Sequence, residues 1–272
     1  IFDTDVDKAI KPAMAVEVFH NFTLMHDDIM DRAPLRRGMP TVHEKWDANT
    51  AILSGDVMLI RAYDLLLDVS QSKLRTVLNR FNQTAAEVCE GQQLDMNFEK
   101  RWDVSEEEYI GMIRLKTSVL LGFALELGGM IAGADEETTN LLYSAGENMG
   151  IGFQLKDDLL DVYGDPAKFG KQVGGDIIAN KKTFLLIEAL SKAEGNLKAE
   201  LDKWIGLEKF DNAEKVAAVT GIYDALDIRA FTEHKINEYF SRGMASLQQL
   251  RTDSVQKEVL LQFVEQLVAR EK

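Results

Sequence analysis

Two short acidic clusters carry the chemistry most legible in this chain. The first is His26-Asp27-Asp28-Ile29-Met30-Asp31 and the second is Asp157-Asp158-Leu159-Leu160-Asp161. On a helix, Asp27 and Asp31 are four apart and share a face. Asp28 sits about 100° round, on the flank of that face. Three carboxylates at the C-terminal end of a helix repel one another and oppose the helix dipole. That arrangement is costly unless cations fill it, and oxygen-only ligands suit magnesium, which keeps waters and binds substrate phosphates. A lone cluster of this kind reads as an exposed acidic helix end. Two, each set in apolar helix and each followed by a loop with basic residues, read as a metal–phosphate site.

Basic residues supply the complement. Arg36 and Arg37 follow the first cluster, Lys171 and Lys181 follow the second, and Lys116-Thr117 lies mid-helix beside Arg114. Arginine suits bidentate phosphate contacts and lysine acts as a point charge. Taken singly, each reads as a solvated surface charge. Lys116 is the exception, because it precedes a Gly-rich apolar stretch and needs a partner if buried. His20 and His234 read as surface or satisfied core residues. His26 could pack beside the acidic cluster, but imidazole is not a magnesium ligand. Cys89 is the one cysteine, which excludes an intrachain disulfide and a Cys-built metal site. It reads as a small buried hydrophobe on a helix.

The elements that position these groups are helical. Only four prolines occur, none after Pro166, and Leu, Ala, Glu, Lys and Met dominate, a composition of good helix formers. No β-branched alternation bounded by tight turns is present. The pattern predicts a first helix from Asp7 to about Asp31, with Pro12 in its early turns. A Pro- and Gly-containing loop follows over 32–45. Further helices are predicted over roughly 47–69 and 72–101. A capping box at Ser105-Glu106-Glu107-Glu108 opens another, to about 132. Asp135 caps the next, which stops near Gly164-Asp165-Pro166. A loop at 165–180 and more helices over 181–270 complete the series. The expectation is an all-α, single-domain bundle of about ten or more helices, residues 1–272.

Composition bounds the partners. The chain has 272 residues, 46% of them hydrophobic and 28% charged, with a formal net charge of −14. Such an acidic balance argues against nucleic-acid binding. The first residues do not show a basic stretch followed by an apolar run. The apolar stretch 118–134 contains Glu126 and reads as a buried core helix, not a membrane span; it could equally serve an interface. A cytoplasmic location fits the single cysteine.

These blocks, in this order, resemble the trans-polyprenyl diphosphate synthases. The segment 26–31, with Arg36-Arg37-Gly38 and Pro40-Thr41-Val42-His43, is similar to that family's first Asp-rich signature. Gly152-Phe153-Gln154-Leu155-Lys156 through Asp161 is similar to the second. Glu90-Gly91-Gln92-Gln93-Leu94-Asp95, Leu115-Lys116-Thr117, and Gly170-Lys171-Gln172 through Asn180-Lys181-Lys182 match the intervening and trailing blocks. The resemblance spans residues 7 to about 190.

The resemblance implies a homodimeric prenyltransferase, its helices set around a central active-site cavity, that joins an allylic diphosphate to isopentenyl diphosphate with two to three Mg²⁺ ions. Asp27, Asp31 and Asp157 would bind metal, with Asp28, Asp158 and Asp161 doing so directly or through water. Arg36, Lys116, Lys171 and Lys181 would grip the allylic diphosphate. Arg37 and His43 would help hold isopentenyl diphosphate, and Thr117 and Gln154 would line the reaction centre. Phe22 and Phe19 would floor the product pocket, with Thr23 leaving space. An aromatic five residues before the first Asp is similar to short-chain members, which implies a C15 to C20 product with C20 favoured. One block departs. The family's upstream Gly-Lys-Arg motif is lacking before Asp27, and the abrupt start at Ile1-Phe2-Asp3 reads as a missing N-terminal segment. The rival readings are a class I terpene cyclase, disfavoured by the intact second motif, and a silent regulatory subunit, disfavoured because neither motif has lost an Asp.

Overall fold

The computed structural model describes residues 1–2, 4–165, 173–251 and 254–268. Helices account for most of the described chain, as the composition leads one to expect. In order they are α1 (Asp7–Met30), α2 (Val42–Lys45), α3 (Ala48–Leu66), α4 (Gln71–Phe98) and α5 (Glu106–Ile113). A π-helical segment (Arg114–Ser118) leads into α6 (Val119–Ala132), then α7 (Glu136–Tyr163), α8 (Gly175–Ile178) and α9 (Phe184–Lys192). The chain continues with α10 (Gly195–Gly206), α11 (Asn212–Ala225), α12 (Ile228–Gln248) and α13 (Ser254–Val268).

Two caps read from the sequence are present. Ser105 and Glu108 form a complete capping box on α5, and the Asp135 side chain accepts from the Thr138 amide at the start of α7. The loop expected over 32–45 is more ordered than that. It holds a hairpin of β1 (Leu35–Arg36) and β2 (Met39–Pro40), followed by α2. Its two connecting residues both have positive φ, Arg37 at 52° and Gly38 at 75°. That is the type I′ arrangement, whose twist suits a two-residue hairpin. An arginine stands where asparagine usually does, which hid the turn from sequence reading. Cys89 is also corrected: it lies on α4 but is exposed, on the face turned from the core.

The core has two parts. One gathers α1, α3, α4 and α6 around Phe19, Phe81 and Phe123. Phe81 is its hub, with ring centroids 5.1 Å from Phe19, 5.1 Å from Tyr63 and 5.8 Å from Phe123. The other gathers α5, α7, α9, α11 and α12. α7 packs against both α6 and α12. Glu106–Ala132 is, among the described residues, the one helical stretch long and apolar enough to cross a membrane. Val119, Leu120, Phe123 and Leu127 within it are buried in the first core, the core role expected for 118–134.

Nothing in its own residues foretells the π segment. It lies between α4 and α7, and both approach it through glycine. A Cβ on Gly91 of α4 would sit 2.2 Å from the Lys116 backbone nitrogen, and one on Gly150 of α7 would sit 2.7 Å from the Ser118 Cα. No side chain fits at either place. π-Bulges often mark functional sites, and this one carries Lys116 and Thr117.

Gly91→Ala should therefore destabilise the protein by at least about 1–3 kcal/mol in urea titrations, since the backbone must move. Gly221→Ala, on an exposed turn of α11 with nothing within 4 Å of the new Cβ, should stabilise by about 0.5–1 kcal/mol. Equal effects at the two positions would contradict the clasp.

Candidate active site

The first acidic cluster ends α1. Asp27 and Asp28 lie in its last turn and Asp31 is its C-cap. The hairpin folds Arg36 back onto it. Arg36 Nε donates to Asp28 Oδ1 at 2.8 Å and Oδ2 at 2.9 Å, while Nη2 lies 2.7 Å from Asp28 Oδ1 and 3.4 Å from Asp27 Oδ2. Asp28 is 5% exposed, so its carboxylate is committed to the guanidinium. The positive φ of Arg37 turns the chain that makes this possible.

The π segment projects Lys116 at the same carboxylates. Its Nζ lies 2.5 Å from Asp95 Oδ2 on α4 and 3.1 Å from Asp27 Oδ1. Burial works against the Lys116 charge, but Asp95 and Asp27 outweigh it and raise the pKa. Lys181, accessible to solvent, is raised too: desolvation opposes its charge, and Asp176, Asp95, Asp158 and Asp31 prevail. Lys181 thus feels both acidic clusters, which brings the two motifs to one site. The Asp31 carboxyl is pushed up, first by desolvation and then by Asp27 and Asp95, with Lys116 and Lys181 pulling it back.

The second cluster lies in the last turns of α7. Asp157 is half-buried there, and the Asp161 Oδ2 accepts from the Asp176 amide at 2.9 Å. Asp158 turns inward. Its Oδ2 accepts from the Tyr109 hydroxyl and, at 3.4 Å, from the Phe184 amide. Its Oδ1 accepts from Gln154 Nε2 at 3.2 Å, and Gln154 Oε1 accepts from Thr117 Oγ1 at 3.1 Å. Thr117 and Gln154, expected together at the reaction centre, do meet.

The hairpin and α1 carry most of the remaining expected residues. Arg36 and Arg37 line a cavity of about 310 Å³ with Glu17, Asn21, Pro40 and Met58. His43, on α2, does not line it; both its ring nitrogens are buried without a hydrogen bond, and Nε2 is 3.6 Å from Glu44 Oε1. Phe19 and Phe22 are buried on α1, their rings 5.7 Å apart. The Thr23 hydroxyl donates to the His20 carbonyl at 2.8 Å, closing on its own helix. His26 rests against Phe22, with ring centroids 4.7 Å apart. Lys171 lies outside the described residues.

Three residues of the site carried no assigned role in the sequence reading. Asp95 and Asp176 stood inside quoted blocks but looked like ordinary helix and loop acids. Tyr109 gave no signal at all, since its partner lies 49 positions away.

A divalent cation fits this donor set. It is built of carboxylate oxygens, the ligands that magnesium prefers. Lys116 Nζ is close to Asp27 Oδ1 but off the line of a hydrogen bond, so that buried oxygen keeps unused lone pairs. Asp31 is held above its ordinary value by burial and its acidic neighbours, which a further cation would relieve. Among the described residues no three side chains form a ready-made cage; the ammonium groups stand between the carboxylates.

The comparisons with known proteins agree with this geometry. The polyprenyl synthetase family matches residues 2–223, and the chain belongs to that family, which makes it a trans-prenyltransferase. It is 36% identical over 274 residues to a geranylgeranyl diphosphate synthase of Methanosarcina mazei, covering 98% of this chain and 81% of that relative. A crystal structure of a geranylgeranyl pyrophosphate synthase superposes with a TM-score of 0.94 at 45% identity, over 99% of this chain and 84% of the other. A polyprenyl synthase of Caulobacter crescentus, solved with calcium and isoprenyl diphosphate, matches at 28% identity with a TM-score of 0.88, over 99% and 81% of the two chains.

One pH dependence follows from Asp158. Burial first, and then Asp176, raise its carboxyl to about 7, against about 3.9 in an unfolded chain. A raised carboxyl keeps its proton in the folded state where the unfolded chain has lost it. Its contribution is therefore neutral below about pH 4 and turns unfavourable as pH rises toward 7. In metal-free protein, wild-type stability minus that of Asp158→Asn should fall between about pH 4 and pH 7 in urea titrations. A flat or rising difference would contradict the assignment.

Proposed function

We propose that this site joins isopentenyl diphosphate to an allylic diphosphate, head to tail, and that its favoured product is the C20 diphosphate. The observation that carries the reading is the cation network joining both acidic motifs. Lys116 bridges Asp27 and Asp95, and Lys181 is held charged among Asp176, Asp95, Asp158 and Asp31. Such a site receives a polyanion through shared cations.

Asp27, Asp31 and Asp157, with Asp161 beside them, would hold two to three Mg²⁺ ions. Bound magnesium would supply neutralisation of the diphosphate as it departs. The chain's own groups do the rest. Lys116, Arg36 and Lys181 take up negative charge that develops on the leaving oxygen. Thr117 and Gln154 turn oxygen dipoles toward the allylic cation. Apolar helix walls keep water from it. The double bond of isopentenyl diphosphate then attacks, and released pyrophosphate takes the proton. Arg37 and His43 are assigned to the isopentenyl diphosphate side.

Geranylgeranyl synthases among the relatives support the C20 length. So does the floor: Phe22 is 9% exposed and backed by Phe19, which packs in turn on Phe81. Incubation with isopentenyl diphosphate, each allylic diphosphate from C5 to C15 and Mg²⁺, followed by chromatography, tests the reading. Prenyl elongation with a C20 end product is expected, and no elongation would sink it. Phe22→Ala should shift the product beyond C20, and an unchanged length would remove Phe22 from the floor.

The active form is proposed to be a homodimer. Leu53, Val57 and Ile60 form an exposed apolar stripe on α3, each more than half accessible and at helical spacing, with Asp56 at its edge. A second copy would cover it. Light scattering should give twice the mass of one chain, and Leu53→Lys with Ile60→Lys should halve it. A monomeric wild type at micromolar concentration would overturn the proposal.

A further inference from the structure

We propose that Asp158 is a positioning residue: through its hydrogen bonds it fixes the Gln154 side-chain amide with the carbonyl oxygen facing Thr117 and the reaction centre. This rests on the reading above that an allylic cation forms beside Thr117 and Gln154. It removes Asp158 from the metal shell to which spacing alone would assign it.

The argument is one of donors and acceptors. A carboxylate offers only acceptor oxygens, whereas a glutamine amide has a donor end and an acceptor end. Asp158 Oδ1 faces the Gln154 side chain at 3.2 Å. Only the NH₂ end of Gln154 can satisfy it, so Oε1 must point the other way. That oxygen accepts the Thr117 hydroxyl proton at 3.1 Å. With its proton committed, the Thr117 oxygen leaves its lone pairs for whatever lies beside it. Two oxygen dipoles are thereby turned outward together, the polarity an allylic cation needs.

Asp158 is itself fixed from behind. Its second oxygen takes the Tyr109 hydroxyl and the Phe184 amide, and the residue is 4% exposed. Phe184 opens α9, so the carboxylate also sits at a helix N-terminus, where negative charge is favoured. Tyr109 is buried, and burial and Asp158 hold its phenol protonated, as a donor must be. Once Asp158 is ionised, above about pH 7, every donor and acceptor in this chain of four side chains is fixed.

Asp158→Asn tests it. The Tyr109 hydroxyl and Phe184 amide retain the oxygen of the substituted side chain, so its new NH₂ faces Gln154. Two donors then oppose each other, and Gln154 must turn over and present its NH₂ toward Thr117. At pH 8 the expected result is a fall in kcat of about 10–100-fold, near the range seen when an oriented dipole is lost. KM for both substrates should stay within about twofold. Adding Gln154→Glu to Asp158→Asn restores an acceptor facing both the new NH₂ and the Thr117 hydroxyl. That double variant should recover at least about tenfold of the loss. An unchanged kcat in the single variant, or no recovery in the double, would overturn the proposal. A calorimetric titration of Mg²⁺ with inorganic pyrophosphate supplies a readout independent of turnover. Affinity within about twofold of wild type supports positioning, and a loss of about tenfold or more makes Asp158 a metal ligand and overturns it. If wild type fails to elongate prenyl chains, the functional reading falls, while the calorimetric comparison still decides the place of Asp158.

Discussion

Like-charge repulsion is the constraint on which this structure depends. Two lysines stand among five carboxylates: Asp27 acts on Lys116, Asp158 and Asp176 act on Lys181, and Asp31 and Asp95 act on both. Carboxylates gathered at helix ends, against the dipole, do not stay together unaided. Lys116 and Lys181 hold them, and their own charges are held in turn by the acids they neutralise. Neither half is stable as an isolated feature, since removing one partner of a partly buried pair leaves the other uncompensated. A site that already balances fixed anions with fixed cations is also one where a polyanion carrying its own cations can enter with little change in net charge.

The main chain must bring Lys116 to that position, and an ordinary helix does not. The π segment widens the helix between α5 and α6 and sets Lys116 and Thr117 side by side at the site. Gly91 and Gly150 allow α4 and α7 to close on this segment from their two directions. The close backbone contact also delivers Asp95 on α4 within 2.5 Å of Lys116, and Gln154 on α7 within reach of Thr117. The same clasp that joins the helices therefore sets the distances of the chemistry.

How much of this was legible in the sequence depends on the range of the interaction. Helix limits set by local chemistry, such as the Ser105 capping box and the Asp135 cap, were readable because partners stand three residues apart. The acidic motifs were readable for the same reason. The hairpin was hidden because Arg37 occupies a left-handed position that side chains seldom favour. The π segment was hidden because it is imposed by tertiary packing through Gly91 and Gly150, not by the residues Arg114–Ser118 themselves. Tyr109 and Asp95 were hidden because their partners are 49 and 21 positions away. Cys89 was misplaced because residue type sets an average burial, while α4 exposes whichever face nothing covers.

Helical periodicity gives each acidic motif a division of labour. In both, the first and fifth positions share a face and the second lies about 100° away. At Asp28 that flank meets the hairpin, where Arg36 takes both carboxylate oxygens. At Asp158 it meets α5 and the start of α9, where Tyr109 and the Phe184 amide are waiting. The two flanking acids are thus the most deeply buried of their clusters, at 5% and 4% exposure. Each is bound by donors of the protein and so orients a neighbour: Asp28 orients Arg36, and Asp158 orients Gln154. A repeated three-acid pattern that looks like a single ligand set is, on the helix, a pair of residues facing the site and an anchor facing the fold.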